Sequence, residues 1–205
     1  MSRRAFPRRV RLALSTTDLL LLVVMAALVK AHLLAALAGS LVSLLFALQH
    51  GIIAVLLLVH RPTNQASARP GDVVLGWVGT LLPLAMRATA EPAGPLSLAI
   101  VVIGSLLASG AILSLGRSFG MEPAHRGLQT GKLYRIVRHP IYAAYLIIVG
   151  GFLTAYLSWW NGLVALIWFG VQITRIRREE ALLSNDERYQ RYAQEVRWRL
   201  VPGVW

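Results

Sequence analysis

Apolar residues fill this chain in long unbroken runs, without the strict alternation of a half-buried strand or the narrow apolar stripe of a surface helix. Runs of about 20 such residues match helices that cross a hydrocarbon layer roughly 30 Å thick. They predict about six spans, five being the alternative count, at 12–29, 33–59, 73–90, 96–116, 141–157 and 161–174. Polar and turn-forming residues punctuate the runs. Lys30-Ala31-His32 separates the first two, Arg61-Pro62-Thr63-Asn64 opens the next loop, and Glu91-Pro92-Ala93-Gly94-Pro95 is a turn cluster. Trp159-Trp160-Asn161-Gly162 reads as a tight hairpin with interfacial tryptophans. A break at Ala38-Gly39-Ser40 would leave Lys30 and His32 in hydrocarbon. A lysine at mid-bilayer costs roughly 2.5–3.5 kcal/mol on insertion scales, so the break is expected at Lys30. The arginine-rich start and Ala36-Leu37-Ala38 look like parts of a signal peptide, but the apolar run is long for one.

Charge placement orients these spans. With the N-terminus inside, Arg3, Arg4, Arg8, Arg9 and Arg11 are followed on the same side by Arg61, Arg69, the basic loop before Pro140 and the arginine-rich tail. All but Lys30 and Arg87 of the 21 Lys and Arg residues then lie inside, as the positive-inside rule requires. Both termini are therefore expected in the cytoplasm.

Composition agrees. Hydrophobic residues make up 56% of the 205, charged residues only 15%, and mean hydropathy is +0.59; a soluble domain carries about 25% charged residues. The net charge of +12 follows from topology, so nucleic-acid binding is not expected. The chain contains no cysteine, which excludes disulfides, thiolate metal sites and cysteine nucleophiles. The fold class expected is thus an all-α integral membrane protein, multi-pass, and the expected location is a bacterial inner (plasma) membrane. Residues 1–115 hold four generic spans; 116–205 hold a long inside loop, a helical hairpin and a charged tail.

Chemistry concentrates in that second part. The loop from Gly116 ends in Arg138-His139-Pro140, and proline is favoured at the first position of a helix. A span starting at Pro140, with His139 at its cap, offers free N–H groups and a positive dipole end. Arg138 adds a fixed charge, making a place for an anion such as a carboxylate. The plainer reading is an arginine snorkelling to lipid phosphate. The sixth span runs out into "RIRREEALL". Because the hairpin makes the last two spans antiparallel, Glu179 and Glu180 return to the face that holds Arg138, His139 and Tyr142. An arginine–glutamate surface network would account for the charges but not for this convergence.

Elsewhere the polar residues read more plainly. Gln49-His50 lies within the second span, where a buried histidine satisfied by a neighbouring helix is expected. His32, His60 and His125 lack metal-ligand spacing. Asp18 caps a helix or faces a polar cavity. Tyr189, Tyr192 and Trp198 fit an amphipathic helix on the inner membrane surface.

"TGKLYRIVRHPIYAAYLIIVGG", then Asn161, then "RIRREEALLSNDERYQRYAQEVRWRLVP" resembles the core of the isoprenylcysteine carboxyl methyltransferases and phospholipid N-methyltransferases, integral membrane enzymes that use S-adenosylmethionine. The resemblance covers Leu115 to Pro202 and rests on the ordered set Arg-His-Pro-x-Tyr, hairpin, Glu-Glu and Tyr-x-x-Tyr. The chain departs from the family pattern at Gly131-Lys132, where Gly-Pro is usual, and at Asn185-Asp186, where Phe-Gly is common. "IGSLLASG" in the fourth span has small residues at other spacings than the Gly-x-Gly of the phospholipid enzymes. The resemblance implies a cofactor site formed by Gln129, Gly131, Tyr134, His139, Pro140, Tyr142, Glu179 and Glu180. It implies Arg138 and Glu180 as catalytic residues, and a lipophilic acceptor that is either a carboxylate or a lipid amine. Asn161 matches a recurrent family asparagine, with a structural role at least as well supported as a catalytic one. Two other classes compete: a membrane reductase of the sterol-reductase type, which shares the hairpin core, and a small transporter or scaffold, for which only Asp18, Gln49, His50 and Gln172 offer an intramembrane polar track.

Overall fold

The computed structural model describes residues 14–61, 70–89, 93–120 and 127–205. The N-terminal arginines, Pro62–Asn64, Arg69, Glu91, Pro92, His125 and Arg126 lie outside the described residues. Among those described there is no strand. Seven α-helices follow in order: α1 (Thr16–Leu37), α2 (Leu41–Val59), α3 (Pro70–Leu81), α4 (Pro95–Leu115), α5 (Pro140–Tyr156), α6 (Trp159–Leu183) and α7 (Glu187–Glu195). Helices Thr16–Leu37, Leu41–Val59 and Pro95–Ser118 are long and apolar enough to cross a membrane, while Pro70–Ala85 and Pro140–Tyr156 are apolar but shorter. Large side chains such as Leu19, Val23, Leu34, Leu106 and Leu166 point outward. In water they would form an apolar patch far too large for a monomer. This is a membrane protein.

α1 starts where its sequence says it should. The Asp18 N–H donates to Ser15 Oγ at 3.1 Å and the Ser15 N–H to Asp18 Oδ2 at 3.0 Å, a reciprocal capping box. Asp18 is thus a cap, and it also lies 3.9 Å from His60 Nε2 at the end of α2. The break expected at Lys30 falls instead at Ala38–Ser40. Gly39 takes φ +97°, open to glycine at no steric cost, and Ser40 Oγ accepts from the Ser43 N–H to start α2. Lys30 stays inside α1 with an exposed side chain, long enough to carry its ammonium toward the nearer interface. His32 stacks on His50, ring centroids 5.3 Å apart. His50 is satisfied within its own helix by the Phe46 carbonyl.

α1, α2 and α4 share a core of Leu21, Met25, Ile53, Leu56, Leu57 and Ile112. α4 also lies along α5 at very short range. A Cβ on Gly104 would sit 2.8 Å from Ile148 Cγ1, and Ser97 Oγ donates to the Gly151 carbonyl at 2.6 Å. The small residues of "IGSLLASG" therefore serve helix packing, as small residues do between membrane helices.

α3 packs on α6, and one carbonyl of α3 takes two of the bonds between them. Pro83 has no N–H to give to Gly79 O four residues earlier. That oxygen accepts instead from Trp168 Nε1 at 3.0 Å and Gln172 Nε2 at 3.1 Å. The helical part of this segment ends at Ala85, short of the expected 90.

The α5–α6 turn lies at Leu157-Ser158, before the expected Trp-Trp-Asn-Gly. Ser158 Oγ accepts from the Asn161 N–H and caps α6, so Trp159 to Gly162 form its first turn. Asn161 is fully buried. Its Oδ1 accepts from the Arg87 N–H, and its Nδ2 donates to the carbonyls of Arg87 and Tyr156. It fastens the turn before α4 to the end of α5, a structural role at the end of the molecule away from Glu180. α6 has 25 residues, about 37 Å at 1.5 Å per residue. It continues past the predicted limit at 174 and carries Arg175 to Leu183 as helix.

Candidate active site

α5 begins as its sequence dictates, with Pro140 at the first helical position and His139 at the cap. Residues 132–135 form one 3-10 turn just before it. α6 returns antiparallel and ends at the same level, so the two segments meet.

Glu180 is the meeting point. Its Oε1 accepts from Arg138 Nε at 2.9 Å and lies 3.1 Å from His139 Nε2. Its Oε2 accepts from Arg199 Nε at 2.7 Å. Burial by itself pushes this carboxyl up. The hydrogen bonds from His139 and Arg199 and the charges of His139 and Arg138 outweigh burial and hold it at about 2. An ionised carboxylate only accepts, so Nε2 of His139 is the donor in this contact. Nδ1 is then left 4.0 Å from Glu179 Oε2, beyond hydrogen-bond reach.

Arg138 is buried and held from two sides. Besides Glu180, its Nη1 donates to the carbonyls of Ala193 and Val196 at 3.2 and 3.4 Å. Its backbone N–H donates to Trp198 O and that of His139 to Arg199 O, each at 2.9 Å. Glu179 is the opener of the two glutamates, with a third of its side chain exposed. It accepts from Tyr142 Oη at 3.3 Å. The Arg175 guanidinium lies over the Tyr142 ring, 5.4 Å from its centroid.

The structure thus brings together Arg138, His139, Pro140, Tyr142, Glu179 and Glu180. Tyr134 is buried beside them; burial first, and then the charge of Glu179, push its hydroxyl up. Gln129 and Gly131 are half-buried on the approach to the 3-10 turn, where Gly131 O accepts from the Tyr134 N–H. Among the described residues no hydrogen bond or ion pair joins Gln129 to the glutamates.

Tyr189 and Tyr192 do not face the membrane. They form a buried cluster with Tyr134, and Tyr192 Oη donates to Tyr134 O at 2.6 Å. An α7 amphipathic in sequence turns its apolar face to protein because the loop before α5 covers it. Arg199, one tail arginine among several by sequence, emerges as a partner of Glu180. Only the turn-forming Pro202-Gly203 beyond it hints that the tail folds back.

Residues 95–190 match the family of phospholipid methyltransferases. The match is to a phospholipid methyltransferase domain and spans just under half of the chain. The domain starts at the first residue of α4 and contains the α5–α6 hairpin, Arg138, His139 and both glutamates; α1–α3 precede it and Arg199 follows it. No curated protein matches the chain. Methyltransferases of this family act in membranes on lipid-like molecules, which accords with the exposed apolar helices around the site.

Proposed function

We propose that the protein is an S-adenosylmethionine-dependent methyltransferase that modifies a lipophilic acceptor, an isoprenylcysteine-like carboxylate or a lipid amine. In this reading it sits as a six-span protein in the bacterial inner membrane, both termini and the site in the cytoplasm. The observation that carries it is the Glu180 clamp. One carboxylate joins the start of α5, the end of α6 and the following tail at the level where an apolar helix begins, so a water-soluble donor and a membrane-borne acceptor can reach one place. Interactions across the described ends agree with a single basic face. Arg61, Arg117, Arg138 and Arg178 lie at the end that holds Glu180, linked by contacts such as Arg117 Nε to Val59 O and Arg178 Nη1 to Asp72 Oδ1.

The residues fit the donor's chemistry. Glu179 is ionisable, partly open and bonded on one oxygen by a neutral hydroxyl, so its carboxylate can accept from ribose hydroxyls or face a cationic end. The first N–H groups of α5, at Ile141 and Tyr142, have no partner within the helix and suit a carboxylate. Tyr134, Tyr142 and His139 with its free Nδ1 complete the wall. When bound, the donor supplies an electrophilic methyl group.

The chain's own contribution is position, charge and exclusion of water. Glu180, with both oxygens taken by cations and its acidity so high, does not act as a proton acceptor. Its role is to hold Arg138 and His139 in register. Arg138 Nη2, which makes no hydrogen bond among the described residues, is left to orient an acceptor anion. A carboxylate acceptor is already nucleophilic and needs nothing more; an amine would pass its proton to Glu179. The test is a ligand-induced thermal shift of the purified protein. Stabilisation by S-adenosylhomocysteine and not by NADPH supports the proposal; stabilisation by NADPH alone replaces it with the reductase reading.

A further inference from the structure

The segment Val196–Trp205 lies against the site, yet only Arg199 enters the chemistry above. Trp198 O and Arg199 O accept from the N–H groups of Arg138 and His139, so the segment is pinned beside Pro140, where α5 begins. It then closes on itself. The N–H groups of Arg199 and Leu200 both donate to Trp205 O at 2.9 Å, and the Arg199 guanidinium sits 5.2 Å from the Trp205 ring centroid.

Its outward side chains are apolar. Trp198 is 38% exposed, Val201 46% and Val204 77%, and Ile136 on the paired strip before α5 is 57% exposed. Single exposed apolar residues are ordinary on any surface. These four belong to two backbone-paired segments at the mouth of an apolar helix. The same segments are basic: Lys132, Arg135 and Arg197 are exposed, and neither 127–139 nor 196–205 contains an acidic residue. Tryptophan and aliphatic side chains among unpaired cations match an interface that inserts shallowly below phosphates. The cations select anionic headgroups over zwitterionic ones.

We propose that Val196–Trp205, with Ile136 and Arg135 beside it, docks on the anionic headgroup layer of the bilayer that contains α5, and that this seating holds Arg199 on Glu180. The clamp at the site is then complete only while the segment rests on lipid. The inference concerns the clamp alone and does not depend on which cofactor the site takes.

The experiment uses the full-length protein in nanodiscs of phosphatidylcholine alone and of phosphatidylcholine mixed with phosphatidylglycerol. Hydrogen exchange of the Arg138 and His139 amides reports opening of the segment. Exchange is expected to slow in the anionic discs by about fivefold per engaged cation, and the exposed-site variant Arg197→Gln to lose about one such factor. Lipids brominated near the headgroup end of the acyl chain are expected to quench the emission that Trp198→Phe removes. Equal exchange in both discs overturns the proposal, since it assigns the surface to a protein partner or to water; so does a Trp198 emission that brominated lipid leaves untouched. A thermal shift with S-adenosylhomocysteine on the same samples reads the methyl-donor proposal separately, and its failure with lipid-dependent exchange intact would leave the docking surface standing.

Discussion

Arg199 Nε lies 2.7 Å from Glu180 Oε2, on the opposite side of the carboxylate from Arg138 and His139. A residue beyond the phospholipid methyltransferase match thereby completes the charge balance of a residue inside it. Arg199→Ala should weaken S-adenosylhomocysteine binding by about tenfold, the scale of one charge-assisted hydrogen bond. Arg199→Lys should recover part of the loss by restoring charge without the planar fork. Isothermal titration reads both; unchanged affinity in Arg199→Ala would detach this arginine from the site.

Arg138 is the residue proposed to orient the acceptor and Glu180 the carboxylate that positions it, and their removal should be felt in turnover before fold. Arg138→Ala and Glu180→Ala should each lose methyl transfer by about a hundredfold or more, with helical circular dichroism retained. Because an orphaned buried charge can itself unfold a protein, Glu180→Gln serves as the isosteric companion. Full activity in the purified, folded variants would remove the pair from the mechanism.

Acid should expose the clamp. The Glu180 carboxyl is held near 2 in the folded protein against an ordinary 4.5. Its ionised form therefore contributes stability that is fully present above about pH 4.5 and lost as pH falls toward 2. Thermal denaturation followed across that window should show a decline that Glu180→Gln flattens. Parallel curves for the two proteins would mean that another carboxylate governs the acid limb.

Asn161 should behave as structure, not chemistry. Asn161→Ala leaves the Arg87 N–H and two carbonyls without their partner, at a cost of about 1–3 kcal/mol per unsatisfied group. The expected result is a lower melting temperature with S-adenosylhomocysteine affinity within about twofold of the parent, because the clamp at Glu180 lies at the other end of α6. A large loss of affinity at unchanged stability would return Asn161 to the site.

Much of this arrangement is legible in the sequence, for physical reasons that differ from element to element. Pro140 announces the start of α5 because its ring fits only the first turn, and His139 falls at the cap accordingly. The meeting of Glu179 and Glu180 with Arg138 and His139 follows from a short connection between two apolar runs, which forces antiparallel neighbours. The first break falls later than the pattern predicts because the cost of a lysine depends on depth: Lys30 sits about 10 Å from the end of its helix at 1.5 Å per residue, within reach of the interface. The hairpin moved to Leu157-Ser158 because Ser158 caps α6, which a Trp-Trp-Asn-Gly string conceals. Arg199 left no mark in hydrophobic periodicity. Its position depends on backbone pairing between the tail and the strip before α5, a contact that local pattern does not encode. Tyr189 and Tyr192 have the spacing of an amphipathic helix, but spacing alone does not say whether lipid or the Tyr134 loop covers the apolar face.

The central claim is that the Glu180 clamp builds a methyl-donor site at the mouth of α5. Isothermal titration of S-adenosylhomocysteine into the full-length protein, side by side with Glu180→Gln, tests it most directly. The clamp predicts saturable binding to the parent and a loss of about tenfold or more in the variant, as expected when a charged hydrogen-bond partner is removed. Absence of binding to the folded parent, or equal affinity for both proteins, would contradict it.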